Sequence, residues 1–237
     1  MQKIKTTRWP VKNIGGDRSR CKLRYVIGTQ FDIAAEAASK TQNLAMNYGA
    51  AISESYPIAA LSIAGVFGQT PNLQTMAALY TRYRIRGIKL RLTYWQQTGA
   101  PVFLFTNAQT NLDTFSQDDT APAPAFVSPT ISTLPEQRWA KYRVCQMTAT
   151  GGRATSLSAY YSVNKVYGPD NTVRNDHDFS GGMRIDTPYW GSPVVTRGPW
   201  CQWGIANLSG ANGASTGVLK VEATVYCEFF AKRVTTS

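Results

Sequence analysis

Residues 79–95 read LYTRYRIRGIKLRLTYW, and their alternation decides the fold. Up to Arg86, basic and apolar side chains alternate, with Arg82, Arg84 and Arg86 against Tyr83 and Ile85. After Gly87 the alternation resumes out of phase, with Ile88, Leu90, Leu92 and Tyr94 against Lys89, Arg91 and Thr93. A period of two is that of a half-buried strand, one row in a core and the other outside. The slip at Arg86-Gly87 predicts a β-bulge, whose extra residue returns the apolar row to the core face. The outer row holds five Lys/Arg and no acid. Just before it, PNLQTMAAL (residues 71–79) predicts a short helix that delivers the chain into the strand.

Working outward, the same period recurs. LRYVIGTQFDI, within Cys21 to about Ala35, predicts the first strand. PVFLFT (101–106) is short and apolar enough to be buried on both faces. Gln137 to Met147 and Thr155 to Tyr167 alternate, Met183 to Ile185 predicts a short strand, and Trp200 to Asn207 another. Val218 to Val234 closes the chain. One of its rows is Leu219, Val221, Ala223, Val225, Cys227 and Phe229, wholly apolar. That makes eight strands with no strong helix alternating between them, against a parallel α/β sheet and in favour of an antiparallel sandwich. Residues 36–70 are Ala- and Ser-rich with mixed patterning, read as a long loop with some helix or an added strand. Residues 107–135, with Pro, Ser/Thr and three Asp, read as a surface loop.

Composition agrees. Nineteen Gly, twelve Pro, six Trp, twelve Tyr and nine Phe in 237 residues fit strands and turns. The longest apolar run, residues 58–67, is half the roughly 20 residues a membrane helix needs, and the N-terminus has no apolar h-region. No membrane partner is expected. Cys21, Cys145, Cys201 and Cys227 lack metal-ligand spacing and are expected to be reduced core residues.

Charge placement says more than its size. The formal net charge is +11, and residues 1–24 carry eight Lys/Arg against Asp17 alone. With the 79–95 strand they account for the basicity, which points to a polyanionic partner. Residues 1–19 lack an apolar period and read as an extended basic arm, leaving 20–237 as one domain. The candidate phosphate-binding residues are Lys3, Lys5, Arg8, Lys12, Arg18, Arg20, Lys22, Arg24, Arg82, Arg84 and Arg86.

Catalysis finds no support. His177 is the single histidine, in a turn-rich NDHD segment. Asp170, Asp176 and Asp178 do not match a calcium loop, and neither Gly151-Gly152 nor Gly181-Gly182 fits a phosphate-binding glycine pattern. No catalytic residue, metal or cofactor is expected. The aromatics, among them Tyr160, Tyr161 and Trp203, are numerous enough to include base-stacking platforms, but core and subunit packing is the commoner use. Tyr189, Trp190 and Trp200, flanked by Pro and Gly, are the candidate subunit-interface anchors.

The helix running into a YRI-type strand resembles the C strand of viral jelly-roll capsid proteins. RWAKYRV, YSVNKVYGPDNTVRNDHDFSG and VEATVYCEFFAKR extend the likeness towards capsid proteins of circovirus-like, circular single-stranded DNA (CRESS-DNA) viruses. The resemblance implies an all-β fold, a single viral jelly roll of eight antiparallel strands with long connecting loops and a basic N-terminal arm. It also implies self-assembly into the simplest (T=1) icosahedral shell around circular single-stranded DNA, in a virion assembled in the host nucleus or cytoplasm. The arm departs from the family's denser arginine-rich run. The alternatives are an RNA-virus jelly-roll capsid protein and a carbohydrate-binding β-sandwich.

Overall fold

A computed structural model describes residues 17–45, 60–61, 71–109, 132–147, 151–167, 180–183, 200–209 and 213–233. The elements are β1 (Arg18–Gln30), β2 (Ser39–Ala45), β3 (Ala60–Leu61), α1 (Pro71–Leu79), β4 (Tyr80–Gly99), β5 (Val102–Gln109), a 3-10 turn (Leu134–Glu136), β6 (Lys141–Val144), β7 (Thr155–Ser162), α2 (Val163–Tyr167), β8 (Gly181–Gly182), β9 (Trp200–Asn207) and β10 (Ser215–Lys232).

Two sheets form, in the orders β1-β10-β4-β7 and β3-β2-β9-β5-β6, with β8 beside β4. Leave aside the two-residue β3 and β8, and eight strands remain. The first pairs with the last, the second with the seventh, the third with the sixth and the fourth with the fifth, all antiparallel. This nesting is that of a long hairpin rolled up on itself, a jelly roll. The chain is all-β with that architecture.

The core lies between the sheets. β4 contributes Ile88, Leu90, Leu92 and Tyr94 at 0% exposure, and the β10 row Leu219 to Phe229 is buried throughout. Cys201, Trp203 and Ile205 of β9 face them from the second sheet. β5 is buried on both sides, as PVFLFT predicts: Val102 and Leu104 enter the main core, while Phe103 and Phe105 pack with Leu134 and Ala206 on the outer face. The bulge also stands where the phase slip puts it. Tyr226 pairs with Gly87 and Cys227 with Ile85, so Arg86 is the extra residue.

Several expectations are corrected. The YRI strand is the third of the eight, not the second, because β2 precedes it in the opposite sheet. β2 is SKTQNLA, without an apolar row, and its backbone ladder to β9 defines it, so period offers no signal. The stretch read as one strand to Tyr167 ends at Ser162, where VNKVY turns into a single helical turn with Val163 buried. β6 is only four residues long; of the stretch Met183 to Ile185 only Met183 is among the described residues, and the two-residue β8 just before it pairs with β4. β1 begins at Arg18, two residues inside the stretch assigned to the arm.

Cys145, Cys201 and Cys227 are buried and Cys21 is half-buried, all as thiols. Burial pushes the Cys145 thiol up to about 11, against smaller opposing hydrogen bonds, and raises Cys201 and Cys227 as well. A thiol reagent at mildly alkaline pH is therefore expected to label Cys21 first and Cys201 and Cys227 only after unfolding, because thiolate fraction and access both govern the rate. Mass spectrometry of a labelling time course checks the order.

Candidate nucleic-acid interface

The outer face of the β1-β10-β4-β7 sheet is the candidate site. Register lays its side chains in rows across the strands. Arg18, Phe230 and Arg82 form one row, and Arg20, Glu228 and Arg84 the next. Lys22, Tyr226 and Gly87 follow, then Arg24, Thr224, Lys89 and Tyr160. Val26, Glu222, Arg91 and Ser158 come next, then Gly28, Lys220, Thr93 and Ser156. Rows alternate at about 6.8 Å along a strand and strands lie about 4.8 Å apart, so these cations share one surface. The antiparallel pairing of β1 with β10 and of β10 with β4 is what joins two basic segments distant in sequence.

The two acids on this face are both engaged. Glu222 lies 2.9 Å from Lys220 Nζ and 3.7 Å from Arg91 Nε. The Lys220 hydrogen bond, helped by Arg91 and Arg24, holds its carboxyl below the usual range. Glu228 is buried; one carboxylate oxygen accepts from Arg86 Nη2 and the other lies 3.8 Å from Arg20 Nε. Lys22, Arg24, Lys89 and Arg91 are exposed.

The structure does not bear out Arg82, Arg84 and Arg86 as a solvent-facing row. They lie opposite the core, but Arg84 is only 7% exposed and sits 5.2 Å over the Phe230 ring. Arg86 is tied to Glu228, and half-buried Arg82 donates to Ser180 Oγ at 3.4 Å. The physical reason is the register with β10 and β8, which brings Phe230, Glu228 and the Ser180 segment over this end of β4. Lys89 and Arg91, beyond the bulge, are the accessible cations of that strand, and Lys220 of β10 joins them. The alternation that reveals the strand puts both on the outer row, but β1 and β10 had to be placed beside it for the patch to appear.

Arg18, Arg20, Lys22 and Arg24 are all on β1 and on this face. Lys3, Lys5, Arg8 and Lys12 lie outside the described residues, as do Tyr189, Trp190, His177 and the Asp170, Asp176 and Asp178 set. Trp200 opens β9, its backbone paired with Ala45 and Gln109. Among the described residues no group of three or more His, Cys, Asp or Glu could hold a metal, and no helix is long and apolar enough to cross a membrane.

No family model matches the chain, and no curated protein does. Solved structures do. The chain is similar to a subunit of cocksfoot mottle virus, at 10% identity and a TM-score of 0.41 over 92% of this chain and 97% of that one. It is similar to the decameric BFDV capsid protein, at 13% identity and 0.40 over 89% and 98%. A third is the virus-like particle of the nodavirus of the prawn Macrobrachium rosenbergii, at 11% and 0.42 over 100% and 94%.

Proposed function

We propose that this chain is a viral capsid protein that assembles with copies of itself into a small icosahedral shell around a nucleic-acid genome. In this reading residues 1–19 form a basic arm and 20–237 the shell domain, although β1 starts at Arg18. The observation that carries it is the one-sided basic face of a jelly roll. Lys22, Arg24, Lys89 and Arg91 stand exposed on one sheet, and both acids among them are already paired. The glycan-binding alternative does not by itself explain such a face, whereas a shell needs one surface that neutralises phosphates without reading bases.

The face would line the inside of the shell, with the arm beside it. The simplest shell geometry, T=1, and a circular single-stranded DNA content follow the sequence resemblance; phosphate contacts alone serve DNA and RNA equally. The chain's partners are then other copies of itself and the viral genome, and its place is the virion.

The test is electron microscopy of the purified full chain, with the 260/280 nm absorbance ratio of any large species. Uniform closed particles holding nuclease-protected nucleic acid are expected, with DNase digestion of the extracted material identifying it as DNA and RNase digestion as RNA. A monomer or small oligomer at every salt and pH tried would overturn the reading in favour of glycan binding.

A further inference from the structure

We infer that Tyr160, backed by Tyr226, is a stacking platform for an unpaired base of a single-stranded nucleic acid. The inference rests on the reading above and specifies how that face holds its ligand.

Tyr160 is 52% exposed in the middle of the basic face, whereas its neighbour Tyr161 is 3% exposed. Tyr161 points into the core, where its hydroxyl donates to Thr106 Oγ1 at 3.2 Å. Packing accounts for Tyr161 and leaves Tyr160 over. Its ring crosses β4 at Gly87: a Cβ there would stand 2.7 Å from the Tyr160 hydroxyl oxygen and 2.7 Å from the Tyr161 carbonyl. The bulge glycine thus opens the backbone that Tyr160 lies across. Beyond it, Tyr160 meets Tyr226 edge-on, with centroids 5.6 Å apart and planes at 86°. With half of its surface exposed, the Tyr160 ring keeps room for a third planar group.

Exposed cations stand next to this pair of rings. Lys22 Nζ lies 5.6 Å from the centre of the Tyr226 ring, and exposed Lys89 is the cross-strand partner of Tyr160. Aromatic faces flanked by cations are how proteins hold single strands without sequence readout. In a blunt duplex the base faces are already stacked on one another, so none is free to lie on the Tyr160 ring. A flexible unpaired strand can lay a base on Tyr160 and its adjoining phosphates on Lys89 and Lys22.

The test uses the full-length protein, stripped of co-purified nucleic acid, with fluorescent oligothymidylate and a blunt duplex of equal length as probes. Tyr160→Ala is expected to weaken oligothymidylate binding about tenfold. It is also expected to leave both duplex binding and the slope of log affinity against log salt unchanged, because every cation that meets a phosphate is still in place. Tyr160→Phe should bind as wild type. Tyr160→Leu, which keeps apolar bulk over Gly87 without an aromatic face, should lose what alanine loses. Wild-type affinity in Tyr160→Ala, or an equal loss for the duplex, would overturn the stacking role while leaving the capsid reading standing. Failure of the wild-type protein to bind either probe would overturn both.

Discussion

Glu228→Ala is expected to destabilise the folded subunit by about 1–3 kcal/mol, the usual cost of leaving partly buried donors without their acceptor. The Glu228 side chain is 2% exposed and takes Arg86 on one oxygen and Arg20 on the other. Its register partner on β4 is Arg84, itself buried against Phe230. Without the carboxylate, half-buried Arg86 loses its counter-charge. The bulge makes this worse, because it places an extra arginine where a regular strand would place none. Glu222→Ala is the control, since that carboxylate joins Lys220 and Arg91 at the surface. An exposed pair of this kind contributes little, so its midpoint should stay at the wild-type value. Guanidinium unfolding of dissociated subunits measures both. Equal midpoints for the two variants would mean that water, not Glu228, solvates these arginines.

How much of this was legible in the sequence depends on whether a residue's environment is local. β4, its bulge and the apolar row of β10 announce themselves because a strand with one face in a core must alternate. β5 is equally plain, since burial on both faces leaves a continuous apolar run. β2 left no mark because its sequence, SKTQNLA, has no apolar row and it is defined by its backbone ladder to β9. Eight strands were counted, yet β2 was missing, and the count included Met183 to Ile185, of which only Met183 lies among the described residues. The site divides along the same line. Alternation puts Arg82, Arg84 and Arg86 opposite the core, but whether they meet solvent depends on β10, which begins more than a hundred residues later. Glu228 sits on the β10 row opposite the clean apolar one, where nothing in sequence ties it to Arg86. Tyr160 and Tyr161 are adjacent in sequence, and their opposite fates follow from the period of two once the core side of β7 is known.

Neutralising Lys22, Arg24, Lys89 and Arg91 together, each to Gln, is expected to abolish most nucleic-acid binding while sparing the fold. All four are exposed, so their charges are not what holds the sheet. Each cation withdrawn from a phosphate of a single strand lowers the slope of log affinity against log salt by about 0.7, so four should lower it by about 3. At roughly 0.1 M salt that corresponds to an affinity loss on the order of 10²–10³-fold, with particles that assemble but contain little nucleic acid. The Arg82, Arg84 and Arg86 triple variant should behave in the opposite way. It strips Glu228 of its closest partner and removes the cation packed on Phe230, so folded protein should be lost before any packaging defect can be seen. The two variants therefore separate what the alternating sequence alone cannot, the cations that meet solvent from those that hold β4 to β10. A quadruple variant that still carried a full nucleic-acid load would remove the sheet from the interface. Packaging would then rest on Lys3, Lys5, Arg8 and Lys12 of the arm, whose neutralisation would be the next measurement.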